Sequence, residues 1–245
     1  EKWLDDALPE EIIRPRAQIW PMESSTRKVP SWDWTDMSTG AAFGGFTMAW
    51  TAELGTATAQ TGKLRAISLT AYKGQIYCDV SQELFDDGLG FDAQLERALK
   101  KSISYGLESA FMTGTGVGMA KGLTSDDALI SITKETGQAG DTVVWENIIK
   151  MYARMYPAGR RNAVWIASET VLPQLLTLSI AVGTGGNIIQ PFNESDGSFS
   201  LLGRPVLFSG GHLPVLGDAN DIMLVSLDQF AIGLRKEMRV ERSPV

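Results

Sequence analysis

Residues 44–62 read GGFTMAWTAELGTATAQTG, a run in which Glu53 is the one charged side chain. Phe46, Met48 and Trp50 fall on one side of an extended chain and Thr47, Ala49 and Thr51 on the other, since side chains alternate at period two in a strand. Upstream, RKVPSWDWTD (residues 27–36) repeats the pattern with Trp32 and Trp34 in phase, and MSTGAAFGG between the runs supplies the Gly and Ser of a turn. The pattern predicts one long hairpin made of both runs. Two isolated strands are marginal in water, and this pair has few large aliphatic residues for a core of its own. Each Trp would hide about 150–250 Å², worth roughly 4–6 kcal/mol as an upper bound at about 25 cal/mol per Å². The ribbon must therefore lie against something: the body of its own subunit, where most aromatic residues end up, or another chain. Its residues alone leave both open.

A chain of 245 residues can bury a real core in one large or two smaller domains. Hydrophobic content of 44% with 21% charged residues is ordinary for a globular protein, and no apolar run reaches the length of a membrane span. A soluble chain without a membrane partner is expected. The opening EKWLDDALPEE has no basic region followed by an apolar stretch, so no secretory signal is expected either. The net charge of −7 argues against a grip on nucleic acid, which needs clustered Lys and Arg to neutralise phosphates. The single cysteine, Cys78, excludes an internal disulfide framework; within GQIYCDVS it reads as a small buried hydrophobe, and a cytoplasmic setting follows.

Residues 1–21 mix acids, Pro9, Pro15 and Pro21 with scattered apolar residues, the composition of an arm with at most one short helix. KLRAISLTAYKGQIYCDV predicts two strands, with Ile67, Leu69 and Ala71 on one face and Ile76, Cys78 and Val80 on another; SQELFDDG predicts a helical turn closed by Gly88. The clearest element is FDAQLERALKKSISYGLESAFMTG. Leu95, Leu99, Ile103, Leu107 and Phe111 recur every fourth residue, with Glu96, Arg97, Lys100, Lys101 and Glu108 off the stripe. A long amphipathic helix is expected, favoured at its start by Asp92 and stopped by Gly114 in a left-handed cap.

From about residue 123 strands and helices alternate, which suggests a second domain. DTVVWENIIKMYARMYP puts Val144, Ile148, Met151, Tyr152 and Met155 on one helical face, with Asp141 or Thr142 as N-cap. NAVWIAS reads as a buried strand. Pro173 places the next helix start near Thr170, where a missing N–H is harmless. GTGGNIIQPFNESDGSFS has the composition of an exposed loop, and LLGRPVLFSGGHLP and DIMLVSLDQFAIGLRKEMRVERSPV supply further strands, the last one long and charged on one side.

Catalytic groups are not evident. His212, the only histidine, sits in a turn with no second imidazole or cysteine near it in sequence, which makes zinc improbable and a polar loop residue the better reading. GTGVGMAKG trails a helix, whereas phosphate loops follow a strand and open a helix; it reads as a connector. Asp86/Asp87 and Asp126/Asp127 read as solvated turns. No catalytic residue, cofactor or metal site is predicted, and a rival α/β enzyme with Asn187, Asn193 and Asp196 as polar groups has nothing to pair them with.

Taken in order, the Trp-bearing hairpin ending in AWTAELGTAT, AYKGQIYCDVSQELFDD, the long helix running into ESAFMTGTGVGMAKGL, LLGRPVLFSG and IMLVSLDQFAIGLRKEMRVERS resemble the major capsid proteins of tailed bacteriophages, which have the Hong Kong 97 type of α+β fold. The resemblance implies an N-terminal arm (1–21), an extended loop (22–63), a peripheral domain (64–122 and 229–245) with residues 91–113 as its spine helix, and an axial domain (123–228). It implies a structural protein, not an enzyme, that self-assembles into hexamers and pentamers of an icosahedral head around double-stranded DNA. The expected location is the virion capsid, with assembly in the host bacterial cytoplasm. The loop would then reach a neighbouring subunit, with Trp32, Trp34, Phe46, Met48, Trp50, Glu53, Lys63 and Arg65 as intersubunit contact residues. Its shortage of charge fits an interface core. Partners would be further copies of the chain, with scaffold, portal and cement proteins as candidates and packaged DNA as a non-specific neighbour. Lys28 and Lys63 flank the loop without a matching asparagine context, so no isopeptide crosslink is expected. An encapsulin-type shell around a protein cargo is the nearest alternative.

Overall fold

The run AVWIA, apolar on both alternating faces, suits a strand covered above and below, and it organises the larger of two compact units. The computed structural model describes residues 11–33, 42–56, 58–81, 90–178, 180–182, 187–189, 192–195 and 198–236. Contacts divide the chain into residues 1–20, 72–232 and 238–245, and residues 21–71 with 233–237.

In chain order the elements are β1 (Gln18–Pro21), β2 (Thr26–Trp32), a one-turn helix α1 (Ala42–Gly45), β3 (Leu64–Thr70), α2 (Phe91–Thr113), α3 (Trp145–Arg154), β4 (Ala163–Ala167), α4 (Leu172–Thr177), β5 (Ile180–Val182), β6 (Asn187–Ile189), β7 (Phe192–Ser195), β8 (Ser198–Leu201), β9 (Arg204–Phe208), β10 (Ile222–Ser226) and β11 (Ala231–Leu234). The larger unit is built on a five-stranded mixed sheet of order β10-β4-β9-β8-β7, with β4 parallel to β9 and antiparallel to β10. Every residue of β4 is buried. Val164 and Ile166 point into one cluster with Ile12, Ile13, Phe111, Met112, Leu213 and Met223. Trp165 and Ala167 point into the other with Ile148, Val171, Leu175, Leu201 and Val206. This is period two with a core on each face. The indole N–H of Trp165 donates to the carbonyl of Leu201 at 3.0 Å, which satisfies the one polar atom of a fully buried side chain.

Several local expectations change. α2 has the predicted span, but its tightly buried residues are Glu108, Phe111 and Met112, while Leu107 is exposed and Leu95, Leu99 and Ile103 are half-buried. In the last turns of the helix Glu108 faces inward. Its Oε1 accepts the backbone N–H groups of Ile12 (3.0 Å) and Ile13 (2.9 Å), and Ser104 donates its hydroxyl to Glu11. Gly114 ends the helix with φ −59° and ψ 141°, so it is not a left-handed cap. Glycine is needed there because a Cβ would collide with the carbonyl oxygens of Ala110 and Ala120. α3 is capped by Val144 instead of Asp141 or Thr142, and the Asn147 side chain accepts the N–H of Val144. α4 opens at Leu172 after a 3₁₀ turn at Glu169–Val171, which puts Pro173 in the first turn where no intrahelical N–H is lost. The region read as an exposed loop carries β6 to β8, and Leu202 (φ 53°) and Gly203 (φ 70°) make a tight left-handed turn between β8 and β9. The final strand is broken into β10 and β11 by a 3₁₀ turn at Leu227–Gln229. β11 pairs with β1, and the N–H of Gln18 donates to the carbonyl of Phe230.

Residues 71–81 form no strand, and Cys78 is exposed, not buried. Beyond Ser81, the predicted SQELFDDG turn, with the pair Asp86/Asp87, lies outside the described residues.

Candidate interaction surface

In the smaller unit the run 27–32 does not pair with 46–51. β2 pairs with β3, antiparallel, from Thr26↔Thr70 to Trp32↔Leu64, so the predicted hairpin has a different second strand. Leu64, Ile67 and Leu69 carry the β-branched and aliphatic residues a ladder favours, while the Gly-, Ala- and Thr-rich run 46–62 becomes the long connection. Met22, tucked against Gly233 and Leu69, is the buried apolar residue at the base of this ribbon.

Beyond the ladder the connection is tied together by a few polar contacts. The N–H of Asp33 donates to Lys63, and the N–H of Lys63 donates to Gly44. The Gln60 side chain grips Thr47 from both sides, accepting its N–H at 2.6 Å and donating to its carbonyl at 2.7 Å. Trp32 and Phe46 meet edge to face with centroids 5.5 Å apart. They lie over glycines: a Cβ on Gly62 would come within 2.6 Å of Phe46 and 2.8 Å of Trp32, and one on Gly44 within 2.6 Å of Trp32. At the tip Ala52 accepts the N–H of Gly55, and Leu54 takes the left-handed conformation at φ 69°.

Of the sequence-predicted contact residues, Trp32 and Phe46 are thus brought together and are each about half exposed. Met48 (77%) and Trp50 (89%) stand in solvent. Glu53 lies in the tip turn, and Lys63 and Arg65 are exposed at the start of β3. Trp34 lies outside the described residues. Sequence reasoning missed Leu54, wholly exposed at the tip, Leu64 (66%) and Ile67, because an apolar residue in a turn or strand is ordinarily read as core. The five apolar side chains Met48, Trp50, Leu54, Leu64 and Ile67 line a ribbon with no core of its own, the kind of surface that marks an interaction site.

Among the described residues no group of three His, Cys, Asp or Glu is placed to hold a metal, and no helix is long and apolar enough to cross a membrane. Asp126 and Asp127 sit in a turn where Asp126 accepts the N–H of Ala128 and Asp127 pairs with Lys121 at 3.0 Å. The ring of His212 is buried and packed at a 40° tilt against Tyr105, centroids 4.3 Å apart, and that burial holds its pKa below the usual histidine value. Burial pushes the carboxyl of Glu108 up, against the pull of the N–H groups of Ile13 and Ile12. Of the rival enzyme's polar groups, Asn187 lies on β6, Asn193 on β7, and Asp196 outside the described residues.

A family model described as the phage capsid family matches residues 5–245. No curated protein matches by sequence comparison. Among solved structures, the capsid of a native GTA particle is similar with a TM-score of 0.75 at 18% identity, covering 95% of this chain and 79% of that one. Chains from Mycobacterium phage Bobi (TM-score 0.60, 16% identity, 94% and 73% covered) and Mycobacterium phage Cain (0.55, 15%, 91% and 70%) are similar as well. At these identities the likeness is one of fold.

Proposed function

The chain belongs to the phage capsid family, and from that premise we propose that it is the major capsid protein of a tailed phage, whose copies close as hexamers and pentamers into an icosahedral head around double-stranded DNA. The fold is of the Hong Kong 97 type in this reading, with residues 1–21 as the arm, 22–63 as the extended loop, 64–122 and 229–245 as the peripheral domain and 123–228 as the axial domain. The observation that carries the proposal is the ribbon: Met48, Trp50 and Leu54 project into solvent from the long connection between its two strands. Such an element gains its stability from a neighbour's surface. Trp32, Trp34, Phe46, Met48, Trp50, Glu53, Lys63 and Arg65 are its contact residues, with Trp32 and Phe46 also stiffening the base.

Cohesion in such a shell comes from many modest contacts multiplied by closed symmetry. A net charge of −7 suits a lining that leaves packaged DNA free to move. Scaffold, portal and cement proteins complete the set of proposed partners, and assembly takes place in the bacterial cytoplasm. Negative-stain microscopy and light scattering of the purified chain test the proposal: closed particles of uniform size support it, and a monodisperse monomer at every concentration and ionic strength tried overturns it.

A further inference from the structure

The five-stranded sheet is charged oppositely at its two ends. Between residues 162 and 234 the sequence contains a single Lys or Arg, Arg204. Arg204 opens β9 beside the start of the parallel β4, and its Nη1 donates to the carbonyl of Arg161 in the turn that leads into β4. Arg160 lies in the same turn, donating to the carbonyls of Met155 and Ala153 with its guanidinium over the Tyr152 ring. Two of the three guanidiniums are therefore committed to holding main chain in place, and the third, that of exposed Arg161, has no partner among the described residues. Asp228, the acid at this end, accepts from Asn162.

At the other end the turn before β10 meets the chain leaving β4. Asp221 accepts the N–H of Ser168 on its carbonyl, and Thr170 accepts the N–H of Leu216. Glu169, Asp218 and Asp141 are exposed there, with Asp141 packed against Gly217, and no Lys or Arg lies within residues 162–172 or 205–222. Each end also carries an exposed apolar side chain, Tyr156 at the basic one and Val215 at the acidic one. Five-residue strands hold the ends about 15–20 Å apart.

The geometry points to a head-to-tail contact in which the Arg161 end of one copy seats against the Glu169–Asp218 end of the next. The occupant is a second copy of this chain, because the complementary charge is supplied by the same sheet and because three arginines on a chain of net charge −7 are few for gripping phosphates. A contact between two different patches of one chain generates rings when its rotation closes, and charge complementarity sets its register and rate. The inference rests on the assembly proposed above and names the surfaces that close the ring.

The test is a charge swap in the full chain: Arg161→Glu alone, Glu169→Arg with Asp218→Arg, and all three together, each checked for wild-type circular dichroism and followed by light scattering and microscopy. Either half of the swap is expected to weaken assembly about tenfold or more by setting like charges against each other, and the full swap to restore it. Wild-type assembly by Arg161→Glu, or no recovery in the full swap, overturns the contact while leaving the capsid reading intact. A wild-type chain that never assembles overturns both.

Discussion

At the scale of single residues, Glu108 and His212 are, among the described residues, the two buried groups whose protonation the fold alters, and they act in opposite directions. Glu108 ties Ile12 and Ile13, both inside the core, to the last turns of α2, and its Oε2 has no partner among the described residues. Burial raises its folded-state pKa, so the folded subunit holds this proton more tightly than the unfolded chain. Its contribution is greatest in acid and declines as the pH climbs from 4.5 through the raised value. Glu108→Gln, which keeps an acceptor without the charge, is expected to match or exceed the wild type in urea unfolding at pH 8, with the difference vanishing toward pH 4.5. Glu108→Ala strands two buried N–H groups and is expected to cost about 1–3 kcal/mol for each. His212, lowered by burial, loses stability as the pH falls below 6.5, because the unfolded chain then takes up a proton that the folded one resists. His212→Phe is expected to flatten that acid-side decline, read from unfolding midpoints between pH 7 and 5.5.

At the scale of elements, the β2–β3 ribbon separates local from external support. Trp32 and Phe46 pack on one another over Gly44 and Gly62, so Gly62→Ala, which drives a methyl into both rings, is expected to destabilise the ribbon by about 1–3 kcal/mol through overpacking. Faster cleavage of the connection by protease would register it. Trp50 touches nothing comparable and is 89% exposed. Trp50→Ala is therefore expected to leave the circular dichroism and melting of the free subunit unchanged while impairing assembly. Loss of subunit structure in that variant would place Trp50 in a local core. The element also shows where period-two patterning reaches its limit. RKVPSW was recognisable as a strand, yet its partner was misassigned to the equally alternating FTMAWT. Alternation states that a chain can be extended but not which run completes the ladder; that is LRAISLT, in register from Thr26↔Thr70 to Trp32↔Leu64.

At the scale of the whole molecule, a capsid subunit is incomplete alone, and anything that binds only the folded form raises its apparent stability. Subunits within shells are expected to melt above free subunits, and protease is expected to cut the Ala52–Gly55 tip in the free chain and spare it in the particle. The buried strand AVWIA, the span of the long helix and the apolar, charge-poor run 44–62 were readable from periodicity and composition, because each depends on neighbours a few residues away. The single cysteine likewise excluded an internal disulfide framework. Only the tertiary structure decided that Glu108 turns inward, that Gly114 is needed for closeness to Ala110 and Ala120 and not for handedness, that Cys78 is exposed, and that Arg160, Arg161 and Arg204 gather at one end of the sheet with Glu169 and Asp218 at the other. Glu108 meets Ile12, 96 residues away, and Arg204 meets Arg161, 43 residues away; such long-range pairing is fixed by packing and desolvation, which no local window of sequence encodes.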